Sequence, residues 1–300
     1  SIRLSMHKGT WYAVAAYAIW GFFPIYWKWL EAVPALQVVS HRIVWSCVVL
    51  MGLVLGSRGW MGFRTAIQSP RTHAIYAAAA VAIAINWFVY IWAVSAGFIV
   101  QTALGYFINP LVSVLMGVVI LRERLRPRQW IAIALAAAGV LYLTAYYGTL
   151  PWIALTLAGS FGTYGLLKKT APLGPLHGLT LETGILFVPA LGWLVFEDHA
   201  GRGAFLHAGS LMTLLMIGAG PVTTLPLLLF AAAARRIPLS MMGMLQYINP
   251  TIQFLLGVFL YKEPFSRGQL AGFGLVWAAL CVFGAESWAA SRRGTPPVVV

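Results

Sequence analysis

The sequence predicts an all-α integral membrane protein with ten transmembrane helices. Of its 300 residues, 60% are hydrophobic and only 9% are charged, whereas a soluble domain of this size needs far more charge on its surface. The apolar residues fall into windows of about 20 residues, the length that crosses roughly 30 Å of hydrocarbon. A pattern of residues also recurs about 140 positions along the chain. Together these observations indicate two related membrane-embedded units.

Ten windows of sufficient length follow one another along the chain, near residues 10–30, 35–55, 73–95, 99–121, 129–147, 149–167, 177–196, 211–231, 238–260 and 267–287. The gaps at 97–99 and 147–149 are tight, so a count of eight helices, with two hairpins misread, is the alternative. Cys47 and Cys281 fall inside predicted helices, where a free thiol behaves as a small hydrophobe. The sequence therefore predicts neither a disulfide nor a metal site, and no cofactor.

The net charge of +13 is distributed in short clusters between the apolar windows. Nucleic-acid binding would require basic residues gathered on one face with interleaved aromatic residues, so no nucleic-acid partner is expected. In short loops, Lys and Arg mark the cytoplasmic side of a membrane. With both termini in the cytoplasm, most basic residues fall inside, and only Arg202, Lys262 and Arg267 fall outside.

An internal repeat relates residues 105–143 to residues 245–283. Six positions coincide at an offset of 140: Ile108, Asn109, Pro110, Gly117, Glu123 and Gln129 fall on Ile248, Asn249, Pro250, Gly257, Glu263 and Gln269. The earlier helices match at an offset of 141, which places Gly21 on Gly162 and Lys28 on Lys169. The chain therefore contains two copies of one unit.

Each predicted unit contains five helices, and an odd number makes the second unit enter the membrane from the opposite side. We therefore expect inverted repeats at 9–147 and 148–287, followed by a disordered cytoplasmic tail at 288–300. Inverted repeats are a transporter architecture, because two related halves can exchange conformations and open a central site to each side in turn.

The two Asn-Pro steps lie near the middle of predicted helices 4 and 9. Proline removes one backbone donor and displaces the carbonyl four residues earlier, that of Tyr106 before Pro110 and that of Gln246 before Pro250. Unpaired backbone at that depth is tolerated only where it faces protein or water. We interpret the steps as related kinks beside a central cavity lined by Asn109 and Asn249. The alternative is two satisfied kinks that serve helix packing.

Three ionisable side chains lie within the predicted helices, where charge is costly and often functional. His41 and Arg42 lie on helix 2, and Glu182 lies on helix 7 at the position equivalent to His41. Arg42 is a candidate to bind an anionic group of a substrate. The alternatives are snorkelling of Arg42 to the headgroups, a packing role for His41, and a structural pair of Glu182 with Lys168 or Lys169.

Proton coupling would need a group that changes its charge inside the membrane. Glu182 and His41 meet that requirement, and Glu182 is the coupling candidate, whereas Arg42 stays protonated. Further candidates for the cavity are polar or aromatic side chains that combine stacking faces with hydrogen-bonding groups: Trp20, Asn86, Trp87, Tyr90, Tyr106 and Gln246.

Several segments carry a specific sequence pattern, among them "AYAIWGFFPIYWK", "SHRIVWS", "NWFVYIWAV", "LGYFINPLVSVLMGVVILRERLRPRQW", "LETG" and "QYINPTIQFLLGV". These segments resemble the RarD-type branch of the EamA family in the drug/metabolite transporter superfamily. The resemblance covers residues 9 to 285 and is most specific around 104–130. It implies ten helices in two inverted EamA repeats, a central cavity and alternating access in a bacterial inner membrane.

The function we expect is secondary transport of a small amphipathic metabolite or drug, in the direction of export. A membrane-embedded enzyme is the first alternative, but it needs a nucleophile with a base or a metal cluster at membrane depth, and the chain has only seven acidic residues. A passive channel is the second alternative. The expected partners are the lipid bilayer and a small-molecule substrate, with a monomer expected and a dimer as the alternative.

Overall fold

The computed structural model describes residues 2–57, 60–96, 98–148, 152–262 and 266–292. Every regular element in these ranges is a helix, and the helices overlap all ten predicted windows. In chain order they are α1 (Ile2–Trp29), α2 (Ala35–Gly56), α3 (Trp60–Ala66), α4 (Pro70–Ser95), α5 (Ile99–Val119), α6 (Pro127–Tyr147), α7 (Trp152–Thr170), α8 (Pro175–His199), α9 (Ser210–Ala234), α10 (Leu239–Gln246), α11 (Ile248–Leu255), a π-helical turn (Leu256–Leu260) and α12 (Arg267–Arg292).

Three differences from the predicted windows and tail go beyond shifts of a helix end by a few turns. The short helix α3 was not predicted, and the ninth window is divided into α10, α11 and the π-helical turn. The predicted tail begins too early, because α12 continues to Arg292. No residue between 288 and 292 breaks a helix, whereas glycine and two prolines follow at 294, 296 and 297. Residues 293–300 of the predicted tail lie outside the described ranges.

Six helices of the described ranges are long and apolar enough to cross a membrane: Ala35–Gly56, Pro70–Tyr90, Pro127–Tyr146, Pro175–His199, Ser210–Ala234 and Arg267–Ala290. A seventh stretch, Leu104–Val119, is apolar but shorter. The protein is thus a helical membrane protein with several apolar spans. The count of ten crossing helices stays a prediction.

Two turns that lie 140 residues apart have the same geometry. Arg122 and Lys262 both adopt the left-handed backbone conformation, each with φ of 55°. The helix after each turn begins with the same capping bond, in which a backbone N–H donates to a glutamine side chain three residues later. The two bonds are Arg126 N to Gln129 Oε1 and Ser266 N to Gln269 Oε1, both at 2.9 Å.

Helix packing shows the same correspondence between the two halves of the chain. A Cβ atom at Gly21 of α1 would lie 2.7 Å from Cβ of Ile252, and one at Gly162 of α7 would lie 3.0 Å from Cγ1 of Val112. These pairs are equivalent positions of the sequence repeat. In the same way, α1 packs against α9 and α11, and α7 packs against α4 and α5.

The helix bundle has two ends, named here after the connections that lie there. The α1–α2 end contains residues 30–34, at the carboxyl terminus of α1. The α9–α10 end contains residues 235–238, and Gly9 near the other terminus of α1 packs against Arg236 and Ile237 there. Lys169 Nζ also donates to the Ile237 carbonyl at 2.7 Å.

Gly220 is a position where a side chain would disrupt the bundle. An added Cβ would lie 2.5 Å from the backbone carbon of Trp45, which cannot move without shifting α2. We expect Gly220→Ala to lower the free energy of unfolding by about 1–3 kcal/mol, the usual cost of overpacking. Gly184→Ala is the matched control, because a Cβ atom there meets nothing within 4 Å. Thermal unfolding of both purified variants in detergent measures the difference, and equal melting temperatures would contradict this packing.

Candidate functional site

A central cavity of about 280 Å³ lies where α1, α2, α4, α5, α7 and α9 meet the broken span formed by α10 and α11. The volume is near the small end of the range for small-molecule sites. Its lining combines aromatic rings with amide groups: Trp20, Phe23, Pro24, Trp27, Arg42, Ile83, Asn86, Trp87, Tyr90, Gly105, Tyr106, Asn109, Leu157, Phe161, Leu227, Gln246, Asn249 and Gln253. Nine of the ten predicted cavity residues are among them.

Asn109 and Asn249 both border the central cavity and are each only 7% exposed. The Asn249 side-chain oxygen accepts a hydrogen bond from Gln253 Nε2 at 2.8 Å, within α11. The Asn109 side-chain oxygen is buried and has no hydrogen-bond partner within the described part of the chain. Because a buried polar atom without a partner is costly, Asn109 is the amide best placed to bind a group that enters the cavity.

The two Asn-Pro steps differ in backbone structure. The span that contains Pro250 is interrupted at Tyr247, so that Pro250 occupies the first turn of α11, where proline is tolerated. Helix α5 instead continues through Pro110 as one element. The Tyr247 hydroxyl donates to the Phe107 carbonyl at 3.1 Å and connects the break to α5. We expected two similar kinks. The structure instead has a helix break in the second repeat and an unbroken helix in the first.

The α4 residues contribute packing as well as cavity surface. Asn86 Nδ2 donates to the Leu157 carbonyl at 2.8 Å and to Ser160 Oγ at 3.1 Å, which joins α4 to α7. The Tyr90 and Tyr106 rings meet edge to face, with centroids 6.2 Å apart. The Asn86 amide is thus largely used within the protein, and the rings form the wall.

Arg42 places a guanidinium group between two indole rings. Its Cζ lies 4.7 Å from the Trp27 ring centroid and 4.8 Å from that of Trp87. Its Nε–H donates to Thr223 Oγ1 at 3.0 Å. These contacts hold the group at the cavity wall, in contrast to the snorkelling alternative.

A second cavity of about 500 Å³, called the vestibule here, adjoins the central cavity. It shares Trp27, Arg42, Trp87 and Tyr90 with the central cavity. The rest of its lining comes from the α1–α2 end and the start of α2: Leu30, Glu31, Ala32, Val33, Pro34, Ala35, Val38 and Val39. The shared residues place the vestibule between the central cavity and the α1–α2 end. The vestibule therefore lies beside the central cavity, on the side of the α1–α2 end.

His41 does not line the central cavity, in contrast to the prediction. It is 4% exposed, and its ring lies against Phe205, with centroids 4.9 Å apart. Consecutive residues of a helix point in different directions, so Arg42 and His41 cannot both face the same space. Neither ring nitrogen of His41 has a hydrogen-bond partner among the described residues.

Glu182 forms a buried ion pair, the structural alternative stated for this residue. Lys168 Nζ lies 2.6 Å from its Oε1, and the Tyr164 hydroxyl donates to its Oε2 at 3.1 Å. Both charged side chains are at most 3% exposed, and neither belongs to the lining of the central cavity. A role of Glu182 in coupling stays a prediction.

Among the residues that the sequence reasoning missed are Phe161, Gln253 and Thr223. Phe161 lies in the cavity wall at the repeat position of Trp20, so the repeat could have identified it. Gln253 follows Asn249 by one helical turn and binds its side chain. The contact of Thr223 with Arg42 had no sequence signal, because it depends on how α9 packs against α2.

The comparisons with known proteins agree on a transporter family. The chain matches the EamA-like transporter family in two segments, residues 7–145 and 150–285. It is 47% identical to the uncharacterized transporter YojE of Bacillus subtilis, over 92% of this chain and 93% of the relative. It is 43% identical to the protein RarD of Streptomyces exfoliatus, over 95% of this chain and 90% of the relative.

A more distant relative is the chloramphenicol-sensitive protein RarD of Pseudomonas aeruginosa, with 32% identity over 93% of this chain and 94% of the relative. A crystal structure with 17% sequence identity superposes with a TM-score of 0.67, covering 92% of this chain and 97% of its own. At that identity the similarity shows the fold alone.

Proposed function

The chain belongs to the EamA-like transporter family, and from this premise we propose that it is a secondary transporter working by alternating access. It moves a small amphipathic metabolite or drug across the bacterial inner membrane in the direction of export. The observation that carries the proposal is the central cavity, which is lined by residues of both matched segments and adjoins the vestibule at the α1–α2 end.

The proposed transport unit consists of ten crossing helices arranged as inverted repeats, residues 9–147 and 148–287. The matched turns at Arg122 and Lys262 support this arrangement, as do the equivalent contacts of Gly21 and Gly162. Two related halves can exchange their conformations at little cost in free energy, which alternating access requires. Since one chain supplies the whole cavity lining, the proposed functional unit is a monomer.

Contacts at the α9–α10 end support a conformation that is closed there. Glu123 accepts hydrogen bonds from the backbone N–H groups of Leu239 and Ser240, at 2.6 and 2.9 Å, and from the Ser240 hydroxyl at 2.7 Å. Lys169 joins α7 to the same end. From the basic loops we propose that this end faces the cytoplasm and, with it, that the conformation is open to the outside.

Counterflow in liposomes tests the proposal against both alternatives. The purified protein is reconstituted and loaded in turn with each member of a panel: phenylalanine, tryptophan, 3-phenylpropionate and chloramphenicol, the last suggested by the name of one relative. A carrier accumulates external label transiently against an excess of the same unlabelled compound inside, with saturable rates. Non-saturable flux without counterflow would indicate a channel, and chemical conversion of a compound would indicate an enzyme.

Asn109→Ala is expected to weaken transport without weakening the fold. The lost substrate hydrogen bond corresponds to about 0.5–1.5 kcal/mol, or roughly a 2- to 10-fold loss of apparent affinity. The melting temperature should not fall, because the Asn109 side-chain oxygen makes no hydrogen bond within the described residues. Leu115→Ala, at an exposed position of the same helix, is the control for flux. An unchanged apparent affinity of Asn109→Ala in counterflow would contradict a role of Asn109 in substrate binding.

A further inference from the structure

The guanidinium group of Arg42 lies at the junction of the central cavity and the vestibule. Trp27 and Trp87 stack near it, at 4.7 and 4.8 Å, and Thr223 accepts a hydrogen bond from its Nε–H. Arginine has five N–H donors, so four donors on the two Nη atoms are not used by this bond. Within the described part of the chain, no carboxylate lies within ion-pair distance of Arg42.

The charges around Arg42 favour an incoming anion. Arg42 is the one charged side chain among the described residues that line the central cavity, and the vestibule adds only Glu31. A cation away from bulk water is costly unless a counter-charge or strong hydrogen bonds compensate it. The indole rings and one hydroxyl group compensate Arg42 without a net negative charge. An anion that enters through the vestibule would meet an uncompensated cation.

The position of the Arg42 donors limits the chemical class of that anion. A guanidinium group binds a carboxylate through two parallel hydrogen bonds in one plane, and the bond to Thr223 uses Nε and leaves the Nη donors for such a pair. Farther into the central cavity, Trp20, Phe23 and Phe161 provide apolar surface, and Asn109 provides a hydrogen-bond acceptor. This order of groups suits a compact molecule with a carboxylate at one end and an aromatic or branched apolar body.

We propose that Arg42 is the anion anchor of the central cavity and that the transported compound is a small organic monoanion of this kind. The inference rests on the proposed transport function and assigns its substrate class. It also assigns a specificity role to Trp27 and Thr223, which hold the guanidinium group in place. Cationic compounds are disfavoured, because Arg42, the one charged side chain of the described lining, repels them.

Probes that share one phenylpropyl skeleton and carry a negative, a neutral or a positive end group test the proposal. The probes are 3-phenylpropionate, its neutral analogue 3-phenylpropionamide and the cation 3-phenylpropylammonium. Binding to the purified protein is followed by tryptophan fluorescence, which Trp27 and Trp87 should report directly. We expect the acid to bind at least about tenfold more tightly than the amide, as one charge-assisted hydrogen bond implies, and the cation not to bind.

Substitutions at Arg42 distinguish a role in binding the anion from a role in packing alone. In Arg42→Gln the preference for the acid over the amide should disappear, whereas Arg42→Lys, which keeps the charge without the planar donor pair, should retain part of it. Arg202→Gln is the control, since Arg202 pairs with Glu197 outside the cavity. If Arg42→Gln does not fold, the affinities of the wild-type protein for the acid and the amide still test whether the cavity prefers an anion.

Three results would overturn the proposal: equal affinity for acid and amide, an acid preference that persists in Arg42→Gln, or no binding of the acid or of its longer homologue 4-phenylbutyrate. These results are distinguishable from a failure of the transport function. Counterflow of a neutral compound would support the transport function and contradict the role of Arg42 as an anion anchor. Binding of the acid without counterflow of any compound would leave an anion site in a protein that is not a carrier.

Discussion

We expect the Lys168→Met variant to yield little folded protein, because this substitution has the largest effect on the free energy of unfolding that the structure predicts. Lys168 Nζ lies 2.6 Å from Glu182 Oε1, and both side chains are nearly inaccessible. Removing the cation leaves a buried carboxylate whose one remaining partner among the described residues is the Tyr164 hydroxyl. Breaking a buried pair in this way costs about 3–5 kcal/mol. Thermal unfolding in detergent and the yield of monodisperse protein measure the loss.

The double variant Lys168→Met with Glu182→Leu is the matched control. Replacing both partners of a buried ion pair with apolar groups is often neutral or stabilising, so the double variant should recover most of the stability. Wild-type stability of Lys168→Met alone would contradict the pair. Glu182→Gln then tests coupling: a structural role predicts equal loss of gradient-driven transport and of exchange, whereas coupling predicts loss of the gradient-driven rate alone.

Glu123→Ala is expected to open the α9–α10 end. The Glu123 carboxylate accepts three hydrogen bonds at the amino terminus of α10, from two backbone N–H groups and one hydroxyl group. Each bond to a charged group contributes about 1.5–3 kcal/mol, and the helix dipole adds to the attraction. If these bonds exist only in the conformation closed at this end, their loss shifts the population toward the opposite conformation by about tenfold or more.

A cysteine reporter at Asn109 makes this shift measurable. The reporter protein carries Asn109→Cys, with Cys47 and Cys281 replaced by alanine, and a membrane-impermeant thiol reagent is applied from one side. Glu123→Ala should raise the labelling rate from the α9–α10 side and lower it from the α1–α2 side. Ser240→Ala removes only the hydroxyl contribution and should have a smaller effect. An unchanged ratio of the two rates in Glu123→Ala would show that this contact does not hold the end closed.

The helices and the repeat could be predicted from the sequence because both depend on local patterns. Apolar windows of membrane-spanning length identify helices without knowledge of their neighbours, and identical residues at a fixed offset identify a repeat. Asn109 and Asn249 were located in this way. The break at Tyr247 was displaced from its expected position, since proline fixes the start of α11 but not the end of α10.

Contacts between distant segments could not be predicted with the same detail. The sequence identified both His41 and Arg42 as candidates. Which of the two faces the cavity depends on the rotation of α2 about its own axis, and in the structure it is Arg42 that lines the cavity. Glu182 was considered both for coupling and for pairing, and the fold brings Lys168, near the end of α7, to Glu182 on α8. The indole rings around Arg42 come from α1 and α4, which no spacing in the sequence brings together.

Two-sided accessibility of the Asn109→Cys reporter tests alternating access most directly, because it requires no knowledge of the substrate. The reporter is labelled in intact cells from which the outer membrane has been removed and in inside-out vesicles, with and without Glu123→Ala. Leu115→Cys, at an exposed apolar position of the same helix, should resist the reagent from both sides. Alternating access predicts labelling of Asn109→Cys from both sides, with rates that Glu123→Ala changes in opposite directions. Labelling from one side only, or rates that rise together on both sides, would contradict it.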